Sequence, residues 1–293
     1  MVTLGSGMYT YTLVENWAKL PPGQTLAMVS AIATDSQDRV YAFQRKDPPI
    51  LVFDREGNLQ SSWGNGAFVF AHGFYIENDI VYVTDRDTSV CIMYTLDGKP
   101  VQMLGRHGRH SDTGCEKPGD LVPRAAGPFN YPAELVPSPS GDLYVADGYR
   151  NSRVHRFSSE GELKQSWGEP GKTDPNHFHL PHSLLIDNDR VIVCDRENHR
   201  IQVFSLDGQF QEIWNDIQRP MDISRDRNGN FLVSEGPLEA EGKSARISIL
   251  NSSGGVLARF DCRGSGHGSW IDSRGDIYLA GVPDAIDKYV RQG

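Results

Sequence analysis

Short apolar runs alternate with turns rich in Gly, Asp and Pro along nearly the whole chain, and the runs fall into sets of four. The clearest set is NYPAELVPSPSGDLYVADGYRNSRVHRFSSEGELKQSWG at 130–168. It predicts an apolar first strand, a second strand of the LYVAD kind, a polar crossing, and a third strand, RVHRF. An EG hairpin turn and an outer strand ending near Trp complete it. The same frame recurs at 180–214, LPHSLLIDNDRVIVCDRENHRIQVFSLDGQFQEIW, and two earlier units fit at 28–64 and 70–105. The unit at 218–264 carries an insertion, GPLEAEGKSAR, between its second and third strands, and the unit at 266–293 stops after its third strand, near KYV. The missing outer strand is predicted at the other end of the chain, where YTYTLVENW (Tyr9 to Trp17) reads like the outer strands of the other units.

Four-stranded units with a period of roughly 35–45 residues are a propeller signature. An open β-solenoid shows similar repetition. A truncated last unit with its complement at the N-terminus favours closure, because pairing the two ends in one blade leaves no long open edge. The predicted fold is therefore all-β: a six-bladed β-propeller with its last blade closed by the N-terminal strand, spanning 1–293 as a single domain. The stretch RHGRHSDTGCEKPGDLVPRAAGPF at 106–129 is too polar and too rich in Pro and Gly for a blade. It reads as a long loop over one face.

Composition narrows the functional classes. A 38% hydrophobic content with 30 Gly and 17 Pro suits short strands and turns. A net charge of −9 argues against a nucleic-acid surface, and the basic residues around Arg106, Arg109 and Arg124 form only one local cluster within the long loop. No apolar run approaches the ~18 residues that span a bilayer. Cys91, Cys115, Cys194 and Cys262 show no CxxC pairing, and the N-terminal residues lack a signal-peptide pattern, so a reduced, cytoplasmic protein is expected. Nothing in the sequence fixes an oligomeric state.

The chemistry lies in three histidines at one repeat position in alternate units: His72 in FAHGFYIEN, His182 in LPHSLLIDN and His267 in SGHGSWIDS. The intervening units carry Ser30, Ala133 and Met221 there. In a closed ring of six the imidazoles would approach one axis from directions about 120° apart. That is the ligand set of a three-histidine site with an open coordination position. Zinc is expected, with iron, copper or nickel as alternatives. The other histidines read as ordinary surface or repeat positions, with His155 and His199 facing outward and His179 notable only for its closeness to His182.

A second set of equivalent positions follows each second strand: Arg45 (AFQRKD), Arg86 (VTDRDT), Tyr149 (VADGYRN) and Arg196 (VCDREN). The recurring Asp85, Asp147 and Asp195 beside them look architectural. Arg45, Tyr149 and Arg196 depart from the repeat and are expected to rim the same mouth as the histidines. There, arginine can clamp a carboxylate and tyrosine can act as a base.

DGYRNSR, SWGEPG, LPHS and DRENHRIQVF together resemble the NHL-repeat branch that includes peptidyl-α-hydroxyglycine α-amidating lyase. The resemblance covers nearly the whole chain from about Ser30 and is most specific across 127–206. It implies a six-bladed propeller with zinc on His72, His182 and His267, a catalytic tyrosine at Tyr149 and active-site arginines at Arg45 and Arg196. It also implies a structural calcium held by an Asp after the third zinc ligand and by two carbonyls at the places of Ile32 and Phe74. Here that Asp is Gly268, so a calcium site of this type is not expected. Secreted members carry a Cys after the tyrosine, where this chain has Arg150.

The expected function is metal-dependent cleavage of an N-acyl carbinolamine, an α-hydroxyglycine-type substrate, to an amide and glyoxylate. No nucleic-acid or membrane partner is expected. Two other classes compete: a non-catalytic NHL-repeat binding module, which leaves the alternate histidines unexplained, and a propeller metallo-hydrolase or lyase with a different small-molecule substrate. A calcium-dependent lactonase of this second class would gather carboxylate and amide oxygens in place of imidazoles.

Overall fold

A computed structural model describes residues 3–283 and 285–292. In chain order its strands are β1 (Thr3–Ser6), β2 (Tyr9–Val14), β3 (Val29–Thr34), β4 (Val40–Gln44), β5 (Ile50–Phe53) and β6 (Leu59–Trp63). Next come β7 (Ala71–Glu77), β8 (Ile80–Asp85), β9 (Val90–Thr95) and β10 (Pro100–Gly105). The middle of the chain forms β11 (Glu134–Pro137), β12 (Leu143–Asp147), β13 (Arg153–Phe157) and β14 (Leu163–Trp167). A short pair follows, β15 (Glu169–Pro170) and β16 (His177–Phe178), then β17 (Pro181–Asp187), β18 (Arg190–Asp195), β19 (Arg200–Ser205) and β20 (Phe210–Trp214). The last strands are β21 (Pro220–Arg225), β22 (Phe231–Glu235), β23 (Arg246–Leu250), β24 (Val256–Asp261), β25 (Ser269–Ile271), β26 (Ile277–Val282) and β27 (Ala285–Gln292).

The fold is all-β, a six-bladed β-propeller. Five sheets are four-stranded meanders: β3 to β6, β7 to β10, β11 to β14, β17 to β20 and β21 to β24. The remaining sheet has the order β1-β2-β27-β26-β25. Its outer strand is the N-terminal β2, paired antiparallel with β27 from Thr10↔Gln292 to Val14↔Lys288. Two features escaped the pattern. The strand β1 adds a fifth member to that sheet, and β15 and β16 form a small parallel pair between two blades. The stretch 106–129 contains no strand, and no helix among the described residues is long and apolar enough to cross a membrane.

The turn before each outer strand explains the repeated DG and EG dipeptides. In Ser205-Leu206-Asp207-Gly208 the Gly208 N–H donates to the Ser205 carbonyl at 2.9 Å, and Gly208 takes φ 68°, a region that favours glycine. The β19–β20 register shifts at the adjacent Phe204, so the turn ends in a bulge that suits the twist of the hairpin. A Cβ on Gly208 would lie 2.7 Å from the Trp167 ring. The turn of one blade thus rests on the tryptophan that ends the preceding blade.

The chain divides into two compact units, Met1–Ala67 with Met221–Gly293, and Phe68–Pro220. In the second unit, blade faces pack through Tyr144, Trp167, Phe178, Leu184 and Phe204, and through Cys91, Phe129, Val145 and Phe157. In the first unit, Trp17, Phe53 and Tyr278 share one cluster, and Tyr9, Tyr11, Ile249, Phe260 and Tyr289 another. Trp17 lies beyond the end of β2 and packs edge-on against Tyr278, with ring centroids 5.0 Å apart.

Tyr11 gives a test of the closing strand. Its ring is fully buried, and its hydroxyl has no hydrogen-bond partner among the described residues. Tyr11→Ala should cost about 3–5 kcal/mol, read as a lowered denaturant midpoint. Tyr11→Phe, which removes only the unsatisfied hydroxyl, should leave the midpoint unchanged or raise it.

Candidate active site

In four blades a carboxylate or amide at the end of the second strand fixes the approach to the first strand of the same blade. In the second unit Asp85 accepts the Val69 and Phe70 N–H groups at 2.9 and 2.7 Å, Asp147 accepts Asn130 N–H at 3.0 Å, and Asp195 accepts His179 N–H at 2.9 Å. In the first unit Gln44 does the same with Ala27 N–H at 2.9 Å. A backbone bond then ties the following position to the same approach: Arg86 N–H to Phe70 O at 3.1 Å, Tyr149 to Tyr131 at 3.2 Å, Arg196 to Leu180 at 3.2 Å and Arg45 to Met28 at 3.0 Å. Tyr131 and Leu180 hold φ values of 61° and 66°, a strained conformation for residues with a Cβ that these two anchors sustain. The architectural reading of Asp85, Asp147 and Asp195 agrees with this geometry.

The clamp ties the residue after the second strand to the start of the first strand of its blade, and from there Tyr149 reaches histidines of the blades on either side. In the second unit His72 and His182 are the second residues of β7 and β17, both buried, with ring centroids 4.9 Å apart. The Tyr149 hydroxyl lies 3.0 Å from Nε2 of each, and Arg196 Nη1 donates to it at 3.1 Å. Tyr149 reaches this point because its blade has one additional residue, Gly148, between the Asp and the side chain. Gly148 is required sterically, since a Cβ there would lie 2.1 Å from the Pro181 carbonyl oxygen.

The imidazoles are oriented from behind. His72 Nδ1 is 2.8 Å from the Ala133 carbonyl, which can only accept, so Nδ1 carries the hydrogen and Nε2 presents a lone pair. Gly73 permits the close approach, because a Cβ would meet Ala133 O at 2.3 Å. In the first unit His267 repeats the arrangement, with Nδ1 2.8 Å from the Ser30 carbonyl and Gly268 in the role of Gly73. His267 lies two residues ahead of β25, not within a strand. Gly268 offers no side-chain oxygen, and a Cβ there would stand 2.6 Å from Ser30 O, so this position does not fit a calcium-binding carboxylate. Two Nε2 atoms facing one oxygen, with Nδ1 of His72 held by a carbonyl, do fit part of a histidine zinc site.

Arg45 sits half-buried in the first unit with Nη1 3.0 Å from the Met28 sulfur. Arg86 belongs to the site although the sequence reading left it with the ordinary repeat residues. Its guanidinium carbon is 3.7 Å from the Phe70 ring centroid and 4.7 Å from that of Tyr149. Arg196 pairs with Glu197 at 2.7 Å, and Glu197 also takes Arg219 at 2.9 Å. Burial pushes the Glu197 carboxyl up, but Arg196 and Arg219 more than offset it and hold it below the usual glutamate range.

His155 is a correction. It was expected to face outward, yet it is fully buried, with Nδ1 2.7 Å from Ser166 Oγ and Nε2 3.2 Å from Asp147. This Ser–His–Asp chain resembles a nucleophile relay, but its place in the repeat is structural. Gln202 and Ser248, on the third strands of other blades, likewise donate to Asp195 and Glu235. His179, whose imidazole is held below its ordinary pKa by burial, lies with Nε2 3.1 Å from the Gly119 carbonyl of the long loop. The same loop residue donates its N–H to the Tyr149 carbonyl at 2.7 Å, and Arg150 donates to the Cys115 carbonyl.

The sequence profile of the NHL repeat matches residues 129–157 and 178–204, within two blades of the second unit. The chain is an NHL-repeat propeller. It is 32% identical over 241 residues to human NHL repeat-containing protein 3, covering 76% of this chain and 66% of that protein. It is 28% identical over 211 residues to a probable peptidyl-alpha-hydroxyglycine alpha-amidating lyase of Caenorhabditis elegans, covering 63% of this chain and 57% of the relative. The propeller therefore spans about two thirds or less of the length of these relatives. Among solved structures, a streptogramin B lyase shares the fold with a TM-score of 0.69 at 13% identity, covering 98% of this chain and 100% of that one.

Two outcomes test this description. Gly148→Ala should cost about 1–3 kcal/mol through forced displacement of backbone, measured by chemical unfolding. Glu197 has a lowered folded-state pKa, so its contribution to stability is fully present above its unfolded value of about 4.3 and is lost as pH falls through the folded value. The stability gap between the wild type and Glu197→Gln should be constant from about pH 6 upward and shrink below about pH 4, as read from unfolding midpoints across that range.

Proposed function

We propose that this propeller is a metal-dependent carbon–nitrogen lyase that splits an N-acyl carbinolamine, R–CO–NH–CH(OH)–COO⁻, into a primary amide and glyoxylate. One observation carries the reading. A buried phenol oxygen lies 3.0 Å from two imidazole Nε2 atoms and accepts a hydrogen bond from a guanidinium. An architectural repeat has no use for such a convergence of base, metal ligands and cation. The likeness to amidating lyases supports the substrate class.

The proposed cofactor is zinc, with iron as the alternative, held by His72, His182 and His267. His267 is proposed as the third ligand because it holds the same repeat position and has its Nδ1 bonded to a carbonyl as His72 does. When bound, the metal supplies Lewis-acid polarisation of the carbinolamine hydroxyl.

The residues of the chain do the rest. The Tyr149 oxygen takes the hydroxyl proton, and Arg196 steadies that oxygen through its Nη1 hydrogen bond. The oxygen lone pair of the substrate forms the new C=O as the C–N bond breaks. The amide nitrogen leaves with the bonding pair and takes up one proton, matching the one given up by the hydroxyl to Tyr149, so the reaction balances without water or an oxidant. Arg45 is proposed to offset the negative charge that develops as the C–N bond breaks.

Incubation of zinc-loaded protein with α-hydroxyhippurate should release glyoxylate, with about one zinc per chain by metal analysis. Tyr149→Phe should keep the metal and lower kcat by about 10²–10⁴. His72→Ala and His182→Ala should lose metal and turnover together. Full metal occupancy without glyoxylate from any carbinolamide would overturn the reading.

A further inference from the structure

Arg86 is enclosed and mostly unspent. Its side chain is 13% exposed, and Nε pairs with Asp87 at 2.6 Å. Among the described residues its terminal nitrogens make no hydrogen bond or ion pair. The guanidinium is set among three rings, 3.7 Å from the Phe70 centroid, 4.7 Å from Tyr149 and 5.4 Å from Tyr131. Guanidinium groups so enclosed ordinarily find acceptors for most of their five N–H donors. Here one donor is used.

Arg196, by contrast, is committed on two sides, with Nε on Glu197 at 2.7 Å and Nη1 on the Tyr149 hydroxyl. Two arginines therefore flank one tyrosine with different free capacity. We propose that Arg86 is a specificity-determining residue that binds the substrate carboxylate through its terminal nitrogens and makes the site selective for an acid over its amide.

Three arguments support this. An α-hydroxyglycine unit carries its hydroxyl and carboxylate on one carbon, so a substrate with its hydroxyl at Tyr149 Oη presents the carboxylate close beside that ring, where Arg86 stands. The planar fork matches a carboxylate with two parallel hydrogen bonds. The surrounding rings pre-set the guanidinium plane and lower the local dielectric, which strengthens the pairing. Phe70 and Asp87 hold the cation without consuming its terminal donors. A residue that served only to staple the aromatic rings would leave binding of acid and amide equally affected by its loss.

The inference rests on the lyase reading for the identity of the substrate but not for recognition of the anion, so the test is a binding measurement. Calorimetric titration of zinc-loaded protein with hippurate and with its neutral carboxamide should show preference for the acid in the wild type. Arg86→Gln should weaken hippurate binding by roughly 10- to 100-fold and leave carboxamide binding within about twofold. Arg86→Lys, which keeps the charge but not the fork, should fall between. Zinc content and unfolding midpoints check that each variant is folded. If Arg86→Gln is not, Arg86→Lys alone carries the comparison. Unchanged hippurate affinity in a folded variant, equal loss for acid and amide, or a wild type without preference for the acid overturns the assignment. A wild type that prefers hippurate yet releases no glyoxylate from the hydroxylated compound overturns the lyase reading and leaves the anion site standing.

Discussion

In four blades a side chain at the end of the second strand is bonded to backbone N–H three residues ahead of the histidine position, and the site depends on this interaction. Asp85, Asp147, Asp195 and Gln44 each perform it. The acceptor stabilises a turn that contains left-handed residues at Tyr131 and Leu180 and so fixes where the first strand begins. It also fixes the residue that follows, one place on or, at Tyr149, two, whose N–H is bonded to the same turn. From that anchored place the Tyr149 side chain reaches the histidines of the blades on either side. The fold supplies this anchoring in four blades, and sequence differences set what each anchored position carries.

That division explains what could be read from the chain. The blade pattern was legible because strand alternation, the Gly turn and the terminal Trp recur with the same spacing. His72, His182, Tyr149 and Arg196 were legible because they interrupt the repeat at equivalent places. Arg86 was not. Its preceding Asp85 made it look like the repeat itself, and its place in the cluster comes from Phe70 and Tyr149 closing around it in space. His155 was misread for the opposite reason, since a polar residue on a third strand normally faces water. Here it is drawn inward by Asp147, the same demand that Gln202 and Ser248 meet with an amide and a hydroxyl.

Glycines at 73, 148 and 268 show how backbone proximity constrains this site. At each of them a Cβ would lie within 2.6 Å of a carbonyl oxygen. Two of those carbonyls accept from imidazole Nδ1, so the small residue beside a histidine and the tautomer of that histidine are linked. The Gly in place of a calcium-binding Asp at 268 is thus occupied by a different task, the seating of His267 against Ser30. Electrostatically, the cluster around Tyr149 is cationic on both flanks, and each arginine is tempered by an adjacent acid, Asp87 or Glu197. Charge is present at the phenol without an uncompensated excess.

The long segment between the second and third blades reads at first as a cover. Its Gly119, however, bonds the backbone of Tyr149 on one side and the imidazole of His179 on the other, while Arg150 grips the Cys115 carbonyl. The segment and the tyrosine share a single mechanical frame. Displacing it would pull on the backbone that carries the phenol, so the seating of Tyr149 depends on the segment staying in place.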